Sequence, residues 1–342
     1  MKQPFAEVHT IMSADELIDL AFSRASKAEV AVPKRVPILL KVKRKEIERI
    51  TTVKQVLTER LMKPVNEVPR VEEIHPFYRE LAEVLVGIGG LKKSLGALKW
   101  AAKMVSDLAD HYTRMTRRAG TITDAAKARR EAYGRIASII RQISGEIEFL
   151  RKARKKLEDI PSIDTEMITI VVAGYANVGK STFVKGVSTA KPEVAVYPFT
   201  TKEIIVGHRD TAHGRCQVID TPGLLDRPLS KRNKIELQAI IALKHLADVI
   251  VFMTDPSETC GYPLSHQLNL YHEILEMFKG IPVLKMLNKV DLAEQAQIEE
   301  AKRGLGGDTF EAVSTQKIGI EEIFEATLKI AVEKKHLPDN LF

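Results

Sequence analysis

Apolar residues in the first 160 positions recur three or four residues apart, which is the spacing of one face of an α-helix. This stretch shows almost none of the strict alternation of apolar and polar residues that half-buried strands show. Ser13 and Glu16 form the S-x-x-E pattern of a capping box, which predicts that a first helix begins there. Further helices are predicted near 45–62, 75–88, 91–118 and 121–159. The first half of the chain is therefore predicted to be all-helical.

Prolines and one apolar face refine this helical prediction. Proline removes a hydrogen bond from a helix interior, so the early prolines are interpreted as connections between helices. They are Pro33, Pro37, Pro64 and Pro69. The face of the segment 91–118 that we expect to be buried consists of Ala97, Leu98, Ala101, Val105 and Leu108. Trp100 and Met104 are expected to fill the same core.

After residue 161 the pattern changes to short apolar runs that alternate with helical segments. Runs that are apolar throughout are typical of strands buried on both faces in a parallel sheet. The predicted strands are ITIVVAG, EIIVGHR, CQVID, DVIVFMTD, IPVLKMLN and FEAVS. Helices are predicted from Lys180, over 233–247, 264–279 and 320–335, and near 294–303. The second half is therefore predicted to be an α/β domain with a mainly parallel sheet.

Length and composition agree with two globular domains. A chain of 342 residues is long for one domain, and the change of pattern beside Pro161 divides it into a helical domain over 1–160 and an α/β domain over 161–342. Hydrophobic residues make up 44%, which excludes a disordered or fibrous chain. No apolar run approaches the roughly 18 residues of a membrane span, and the N-terminus lacks the apolar core of a signal peptide. We expect a cytoplasmic protein that makes no membrane contact.

The charge is divided unevenly along the chain. Residues 1–160 carry 32 Lys and Arg against 21 Asp and Glu, whereas residues 161–342 carry 20 against 24. A basic half beside a mildly acidic one indicates that the first half meets a polyanion, although basic residues also serve simply to solvate helix faces. Candidate phosphate contacts lie three or four residues apart on helices, and aromatic residues for base stacking are scarce. These candidates are Arg114, Arg117, Arg118, Arg151, Arg154 and Lys155.

A phosphate-binding pattern follows the first predicted strand of the α/β domain. Residues 174–181 match G-x-x-x-x-G-K-[ST] between a strand and a helix, which is the context that this loop requires. In such a loop the backbone N–H groups surround a phosphate, so Lys180 is expected to reach the β- and γ-phosphates and the Ser181 hydroxyl to bind Mg²⁺. The nucleotide-binding residues predicted here are Gly174, Tyr175, Ala176, Asn177, Val178, Gly179, Lys180, Ser181 and Thr182.

Three later segments complete a nucleotide site, each at the end of a predicted strand. Asp220 can hold the same Mg²⁺, and the Gly223 N–H can meet a γ-phosphate. Asn288, Lys289 and Asp291 follow a later strand, where a carboxylate can accept two hydrogen bonds from guanine that adenine cannot offer. A loop N–H at Ser314 can contact the guanine oxygen. Ligands of open α/β sheets bind at these strand ends, so the pattern predicts GTP and GDP as ligands.

The segments GYANVGKST, AVYPFTTK, DTPGLLDRPL and NKVD resemble those of the Obg-type GTPases. Within that group the chain resembles the nucleolar GTP-binding protein 1 family, which has a helical domain with an IHPFY segment (residues 74–78) before its G domain and a helix start like KRNKIELQAI after the second switch. The resemblance implies a P-loop GTPase fold and a role in assembly of the large ribosomal subunit, with its precursor and rRNA as partners and no DNA. Eukaryotic members continue with a long C-terminal extension, whereas this chain ends at Phe342. In this respect we expect the chain to be a short, archaeal-type member.

The resemblance also implies roles for individual residues. Thr201 matches the first-switch threonine that reaches Mg²⁺ and the γ-phosphate. Leu224 stands where Ras-like GTPases place a water-orienting glutamine, so slow intrinsic hydrolysis is expected. Asn177 resembles an asparagine that ligates K⁺ in potassium-stimulated GTPases, or else it only stabilises the loop. The predicted catalytic set is Lys180, Thr201, Gly223 and Asn177, and the predicted metal ligands are Ser181, Thr201 and Asp220.

Two function classes follow from these residues and the resemblance. The first is a GTP-gated assembly factor for the large ribosomal subunit with slow GTP hydrolysis. The second is a GTPase that acts in tRNA modification or splits mature ribosomes. The first is favoured because residues 1–160 carry no arrangement of nucleophile, general base or metal ligands.

Overall fold

Helices make up the first half of the chain in the computed structural model, which describes residues 3–30, 36–195, 197, 203–228 and 231–336. The described helices of this half are α1 (Ala14–Ser26), α2 (Ile38–Glu67), α3 (Pro76–Val86), α4 (Ile88–Arg118), α5 (Ile122–Gln142) and α6 (Ser144–Glu158). The predicted capping box is confirmed at α1, where the Glu16 N–H donates to the Ser13 hydroxyl and the Ser13 N–H donates to the Glu16 carboxylate. The expected all-helical character of this half is confirmed.

The chain separates into two compact units. One consists of the described residues of 4–73 and 85–158, and the other of the described residues of 1–3, 74–84 and 159–342. In the first unit α2, α4, α5 and α6 bury their apolar faces against one another, with α1 alongside α2. The division near residue 159 lies close to the predicted boundary, but Ile74–Val84 groups with the sheet instead of with the surrounding helices.

Three details of the helical prediction are wrong. Trp100 is 43% exposed. Leu98, Ala101 and Val105 form the buried face of α4, and Trp100 precedes Ala101 by one residue, so its side chain points about 100° away from that of Ala101. Pro64 lies inside α2, near its end, where its buried ring costs only one helical hydrogen bond. The segment 121–159 is two helices that divide at Ile143, just before Ser144 and Gly145, which are poorer helix formers than alanine or leucine.

The α/β half contains a seven-stranded sheet in the order β2-β3-β4-β1-β5-β6-β7. Its strands are β1 (Ile168–Ala173), β2 (Glu193–Ala195), β3 (Ile204–Thr211), β4 (Gly214–Asp220), β5 (Val249–Thr254), β6 (Val283–Asn288) and β7 (Phe310–Ala312). Five strands are parallel, and β3 pairs antiparallel with both β2 and β4. The mainly parallel sheet is confirmed, and β2 is a strand that the sequence pattern did not predict.

Besides α3, five helices accompany the sheet within the described residues: α7 (Lys180–Val187), α8 (Lys234–Lys244), α9 (Leu264–Met277), α10 (Gln295–Leu305) and α11 (Ile320–His336). A short 3-10 helix spans Val290–Leu292. The central strands β1 and β5 are buried along their whole length, as their continuous apolar runs predict. Because β4, β1, β5, β6 and β7 run in the same direction, the loops that follow them lie along one edge of the sheet.

The segment Ile74–Val84 is held to the sheet unit by buried contacts. The Tyr78 hydroxyl donates to the Ile163 carbonyl at 2.7 Å and accepts from the Ile163 N–H at 3.0 Å. Burial raises the pKa of Tyr78 to about 12. Phe77 is fully buried, with its ring centroid 4.9 Å from that of Tyr78 and 6.4 Å from that of Tyr197. The IHPFY segment therefore belongs structurally with the α/β half.

Replacing Tyr78 with phenylalanine is expected to lower the free energy of unfolding by about 1–3 kcal/mol, because the buried N–H and carbonyl of Ile163 lose their partner. Urea unfolding followed by circular dichroism would measure this loss. Tyr262→Phe is a matched control, because no hydrogen bond of the Tyr262 hydroxyl occurs among the described residues. Equal losses in the two variants would contradict the role given to Tyr78.

Candidate nucleotide-binding site

The loop between β1 and α7 has the backbone conformation of a phosphate-binding loop. Gly174 and Gly179 adopt φ angles of 137° and 111°, which L side chains rarely adopt. A Cβ atom at Gly174 would lie 2.3 Å from the Met253 carbonyl oxygen, and one at Gly179 would lie 2.2 Å from Nδ2 of Asn288. Both glycines are therefore required by the close packing of this loop against the ends of β5 and β6.

Lys180 begins α7 and folds back over this loop. Its Nζ donates to the carbonyl oxygens of Gly174 and Tyr175, each at 2.8 Å, and the residue is only 6% exposed. The N-terminus of α7 adds the positive end of a helix dipole at the same place. A buried ammonium group beside a helix N-terminus provides strong attraction for a phosphate.

One cavity brings together most of the residues that the sequence predicted for phosphate and metal. Its lining consists of Ala176, Asn177, Gly179, Lys180, Ser181, Thr182, Asp220, Pro222 and Asp226. Asn177 lies in this lining with a φ of 64°, a left-handed conformation that asparagine tolerates better than most residues. Asp226 is the one lining residue of opposite charge to Lys180 that the sequence analysis did not identify.

The Ser181 and Asp220 side chains fit a magnesium site. The Ser181 hydroxyl donates to Oδ2 of Asp220, while Oδ1 of Asp220 is buried without a hydrogen-bond partner among the described residues. Burial raises the pKa of Asp220, and the charge of Lys180 and the hydrogen bond from Ser181 oppose that shift. An unpartnered buried carboxylate oxygen is costly, and a hard cation with its water shell would satisfy it. Thr201, the third predicted metal ligand, lies outside the described residues.

The loop after β4 does not leave the Gly223 N–H open in this conformation. That N–H donates to Oδ2 of Asp226 at 2.8 Å. Leu224 is 1% exposed and its N–H donates to the Thr221 carbonyl, so its side chain packs in the core. Arg232 donates to the carbonyl oxygens of Gly223 and Leu224 at 2.5 and 2.6 Å. Asp226 and Arg232 therefore organise the segment that the sequence interpreted as a switch.

Asn288 joins the phosphate loop to the predicted guanine site. Its Nδ2 donates to the Val178 carbonyl at 2.7 Å, and its Oδ1 accepts from the N–H and the hydroxyl of Ser314 at 3.0 and 2.9 Å. The residue is 2% exposed. The structure thus brings Val178, Asn288 and Ser314 together, with Asn288 as the bridge that positions the two loops. The Ser314 N–H, which the sequence assigned to the guanine oxygen, is instead taken by Asn288 in this conformation.

Asp291 and Lys289 differ in their surroundings. Asp291 is exposed at the 3-10 helix, and Nε2 of Gln316 lies 3.4 Å from its Oδ2. Lys289 adopts a φ of 60°, and its Nζ lies 2.8 Å from Oδ2 of Asp255 and 3.1 Å from the Thr259 hydroxyl. Asp291 therefore keeps a carboxylate open toward solvent, whereas Lys289 is fixed by the loop after β5.

The loop after β5 was missed by the sequence analysis. Asp255 is fully buried and accepts hydrogen bonds from Ser257, Thr259, Lys289 and the Cys260 N–H. Burial alone would raise the pKa of Asp255, but the hydrogen bonds from Lys289 and Ser257 and the charge of Lys289 bring it below its ordinary value. The ring of Tyr262 lies 4.4 Å from that of Tyr175 in the phosphate loop. The position of Asp255 at the end of the predicted strand DVIVFMTD was the sequence feature that could have identified this loop.

The candidate phosphate contacts of the helical unit fall into two kinds. The side chains of Arg114, Arg117 and Arg118 are exposed at the end of α4, and no ion pair joins them to other described residues. On α6, by contrast, the arginines have partners. Arg151 pairs with Glu148 at 2.9 Å, and Arg154 donates to the Val8 carbonyl at 2.8 Å and pairs with Glu158, whereas Lys155 is exposed. The α4 group is thus the more available of the two.

The sequence matches two family descriptions, "NOG1 N-terminal helical domain" over residues 5–164 and "Nucleolar GTP-binding protein 1 (NOG1)" over residues 234–291. The chain belongs to the nucleolar GTP-binding protein 1 family. An uncharacterized protein of Methanocaldococcus jannaschii is 44% identical over 297 residues, which cover 86% of this chain and 83% of that protein. The predicted family and its fold, a helical region followed by a G domain, are confirmed.

Two further relatives show how much of the family the chain spans. Nucleolar GTP-binding protein 1 of Caenorhabditis elegans is 36% identical over 88% of this chain, which corresponds to 44% of the nematode protein. A crystal structure of a Plasmodium falciparum protein, described as a candidate nucleolar GTP-binding protein 1, has 31% identity and a TM-score of 0.45 over 52% of this chain and 92% of that one. This chain spans about half the length of its eukaryotic relatives in the family.

The described residues contain neither a membrane-spanning helix nor a cluster of metal-binding side chains. None of the described helices combines the length and apolar character needed to cross a membrane. Within the same part of the chain, no group of three or more His, Cys, Asp or Glu side chains is arranged to hold a metal ion. The Ser181 and Asp220 pair suits magnesium because such sites complete their coordination with phosphate oxygens and water.

Proposed function

We propose that the chain binds GTP and GDP and hydrolyses GTP to GDP and phosphate. The observation that carries this proposal is Asn288, which ties the phosphate loop at Val178 to Ser314 of the predicted base site. Nucleotide specificity requires that the groups contacting phosphate and base keep a fixed separation, and a buried three-bond bridge provides it. Family membership and the name of the relatives support the same ligand. Titration with fluorescent GDP, competed by GTP and by ATP, tests the proposal.

The hydrolytic site uses few groups of the chain. Lys180 lies where it can neutralise phosphate charge, and Ser181 and Asp220 would hold Mg²⁺, which supplies further charge stabilisation when bound. Leu224 is apolar and buried, so it cannot orient the attacking water. We therefore expect a low intrinsic rate, with Thr201 and Asn177 retained as catalytic candidates.

A potassium dependence would distinguish the two roles left open for Asn177. If Asn177 ligates K⁺ beside the phosphates, GTP turnover is expected to rise when Na⁺ is replaced by K⁺ at constant ionic strength. An Asn177→Gly variant should lose this increase while tolerating the positive φ of the position. Phosphate release in the two salts is the measurement, and equal rates for the parent chain would reject the potassium role.

We further propose that the chain acts as a nucleotide-gated assembly factor for the large ribosomal subunit, with the precursor particle and its rRNA as partners. The excess of basic residues in 1–160 and the exposed α4 arginines support a polyanionic partner. The family resemblance and the word nucleolar in the relatives' names favour ribosomal RNA over other nucleic acids. In this proposal, hydrolysis of GTP returns the chain to the nucleotide state that binds the precursor particle differently.

Neutralising Arg114, Arg117 and Arg118 together to glutamine is expected to flatten the dependence of log RNA affinity on log salt by about two to three, since each phosphate contact contributes roughly 0.7–0.9. The full chain should be used, because a fragment ending at residue 160 would strip Tyr78 of its partner Ile163. Filter binding to a folded rRNA fragment at several salt concentrations measures the slope.

A triple control removes three exposed charges from the α/β half. It replaces Lys279, Arg303 and Lys329 with glutamine, and none of the three forms an ion pair with another described residue. The control should keep the parent slope. An unchanged slope in the α4 variant would instead mean that those arginines only solvate a helix face.

A further inference from the structure

The Gly223 N–H has an acceptor supplied by the chain itself. Oδ2 of Asp226 lies 2.8 Å from this N–H, three residues along the same loop. The sequence predicts that this N–H is the group that meets the γ-phosphate of GTP. A side-chain carboxylate therefore stands as the partner of the donor that distinguishes a nucleoside triphosphate from a diphosphate.

Asp226 is held in this position by a buried arginine. Nη2 of Arg232 lies 3.3 Å from Oδ1 of Asp226, and the two side chains are only 1% and 9% exposed. The same guanidinium donates to the Gly223 and Leu224 carbonyl oxygens. Since each oxygen of the carboxylate has its own donor, Asp226 links the Gly223 N–H to the Arg232 guanidinium.

The carboxylate also faces the place where phosphates would lie. Asp226 lines the same cavity as Lys180, Ser181 and Asp220. An N–H group donates one strong hydrogen bond, so a γ-phosphate oxygen and Oδ2 of Asp226 compete for Gly223. The two groups are both negative, and their mutual repulsion adds to that competition.

We infer that Asp226 is an internal competitor of the γ-phosphate and sets the preference of the site between GDP and GTP. The inference rests on the proposed function, since it takes GTP and GDP as the ligands of this cavity. GDP leaves the contact between Asp226 and Gly223 intact. GTP must displace the carboxylate, and Arg232 then retains the two carbonyl oxygens that it already contacts. Displacement of Asp226 thereby couples the third phosphate to Gly223 and Arg232.

The test is the ratio of the dissociation constants for GDP and a non-hydrolysable GTP analogue, measured by calorimetry in the full chain with Mg²⁺. Asp226→Ala removes the competing acceptor and its charge. The affinity for the analogue relative to that for GDP should therefore rise about tenfold, which corresponds to about 1.4 kcal/mol. Asp226→Asn keeps an acceptor oxygen without the charge and should give a smaller shift in the same direction. A purely structural role for Asp226 would change both affinities together.

Arg227→Gln is the matched control, because the half-exposed Arg227 pairs with Glu236 outside the cavity. Its ratio should equal that of the parent chain. Parent-like ratios in both Asp226 variants, with both nucleotides bound, would overturn the inference and leave GTP binding in place. Failure of the parent chain to bind either nucleotide would overturn the proposed function, and this inference with it.

Discussion

Replacing Asp291 with asparagine is expected to weaken GTP binding by about 1.5–3 kcal/mol for each hydrogen bond lost to the base. The exposed carboxylate of Asp291 can accept from both N1–H and the 2-amino group of guanine, and an amide offers one donor in place of an acceptor. Xanthine carries an oxygen where guanine carries its amino group. The variant should therefore gain affinity for xanthosine triphosphate, as competition against fluorescent GDP would measure.

The matched control for this change is Asp308→Asn. Asp308 is also exposed, but it lies in the loop before β7 and has no predicted contact with the base. Its GTP affinity should equal that of the parent chain. Parent-like GTP binding by the Asp291 variant would exclude Asp291 as the guanine-recognising carboxylate.

Replacing Asn288 with alanine is expected to lower both stability and nucleotide affinity, although Asn288 itself acts by positioning two loops. The change leaves the Val178 carbonyl and the Ser314 N–H without their buried partner, at about 1–3 kcal/mol for each group. It also removes the amide side chain that packs against Gly179. Urea unfolding without nucleotide and GDP titration would measure the two losses.

Asn269→Ala serves as the control, because Asn269 lies exposed on α9 and its side chain has no hydrogen bond among the described residues. Parent-like stability and GDP affinity are expected for it. If Asn288→Ala bound GDP as tightly as the parent chain, the bridge between phosphate loop and base site would contribute nothing to the free energy of nucleotide binding.

The strand–loop–helix part of the site could be predicted because its chemistry is local. The glycines, Lys180 and Ser181 lie within eight residues, and their spacing alone specifies a loop that surrounds a phosphate. Asp220 and Asn288 could be placed as well, since each ends an apolar run that forms a parallel strand. The carboxyl ends of parallel strands lie at one edge of the sheet, so the positions of the motifs at strand ends were sufficient to predict that they lie close together.

The contacts that the sequence did not reveal depend on partners that no local pattern specifies. Lys289 and Asp255 are 34 residues apart, and only the adjacency of β5 and β6 brings their loops together. Asp226 and Arg232 are close in sequence, but their roles depend on how the loop after Gly223 folds back. A charged residue in a polar loop gives no indication that it will be buried.

The helical half shows a similar limit. Helical spacing identified where helices occur, but it placed Trp100 in the core because an apolar residue between buried positions fits several helical faces. The assignment of Ile74–Val84 to one unit or the other depended on Tyr78 and Phe77 meeting residues far along the chain. Periodicity describes a helix and its apolar face, and it does not identify what that face packs against.

Co-sedimentation of the full chain with ribosomal particles tests the central claim most directly. Lysate fractions would be mixed with the chain loaded with GDP or with a non-hydrolysable GTP analogue and separated on a gradient. A nucleotide-gated assembly factor should travel with precursors of the large subunit and favour one nucleotide state. Equal association in the two states, or association with tRNA or mature ribosomes instead of precursors, would contradict the account.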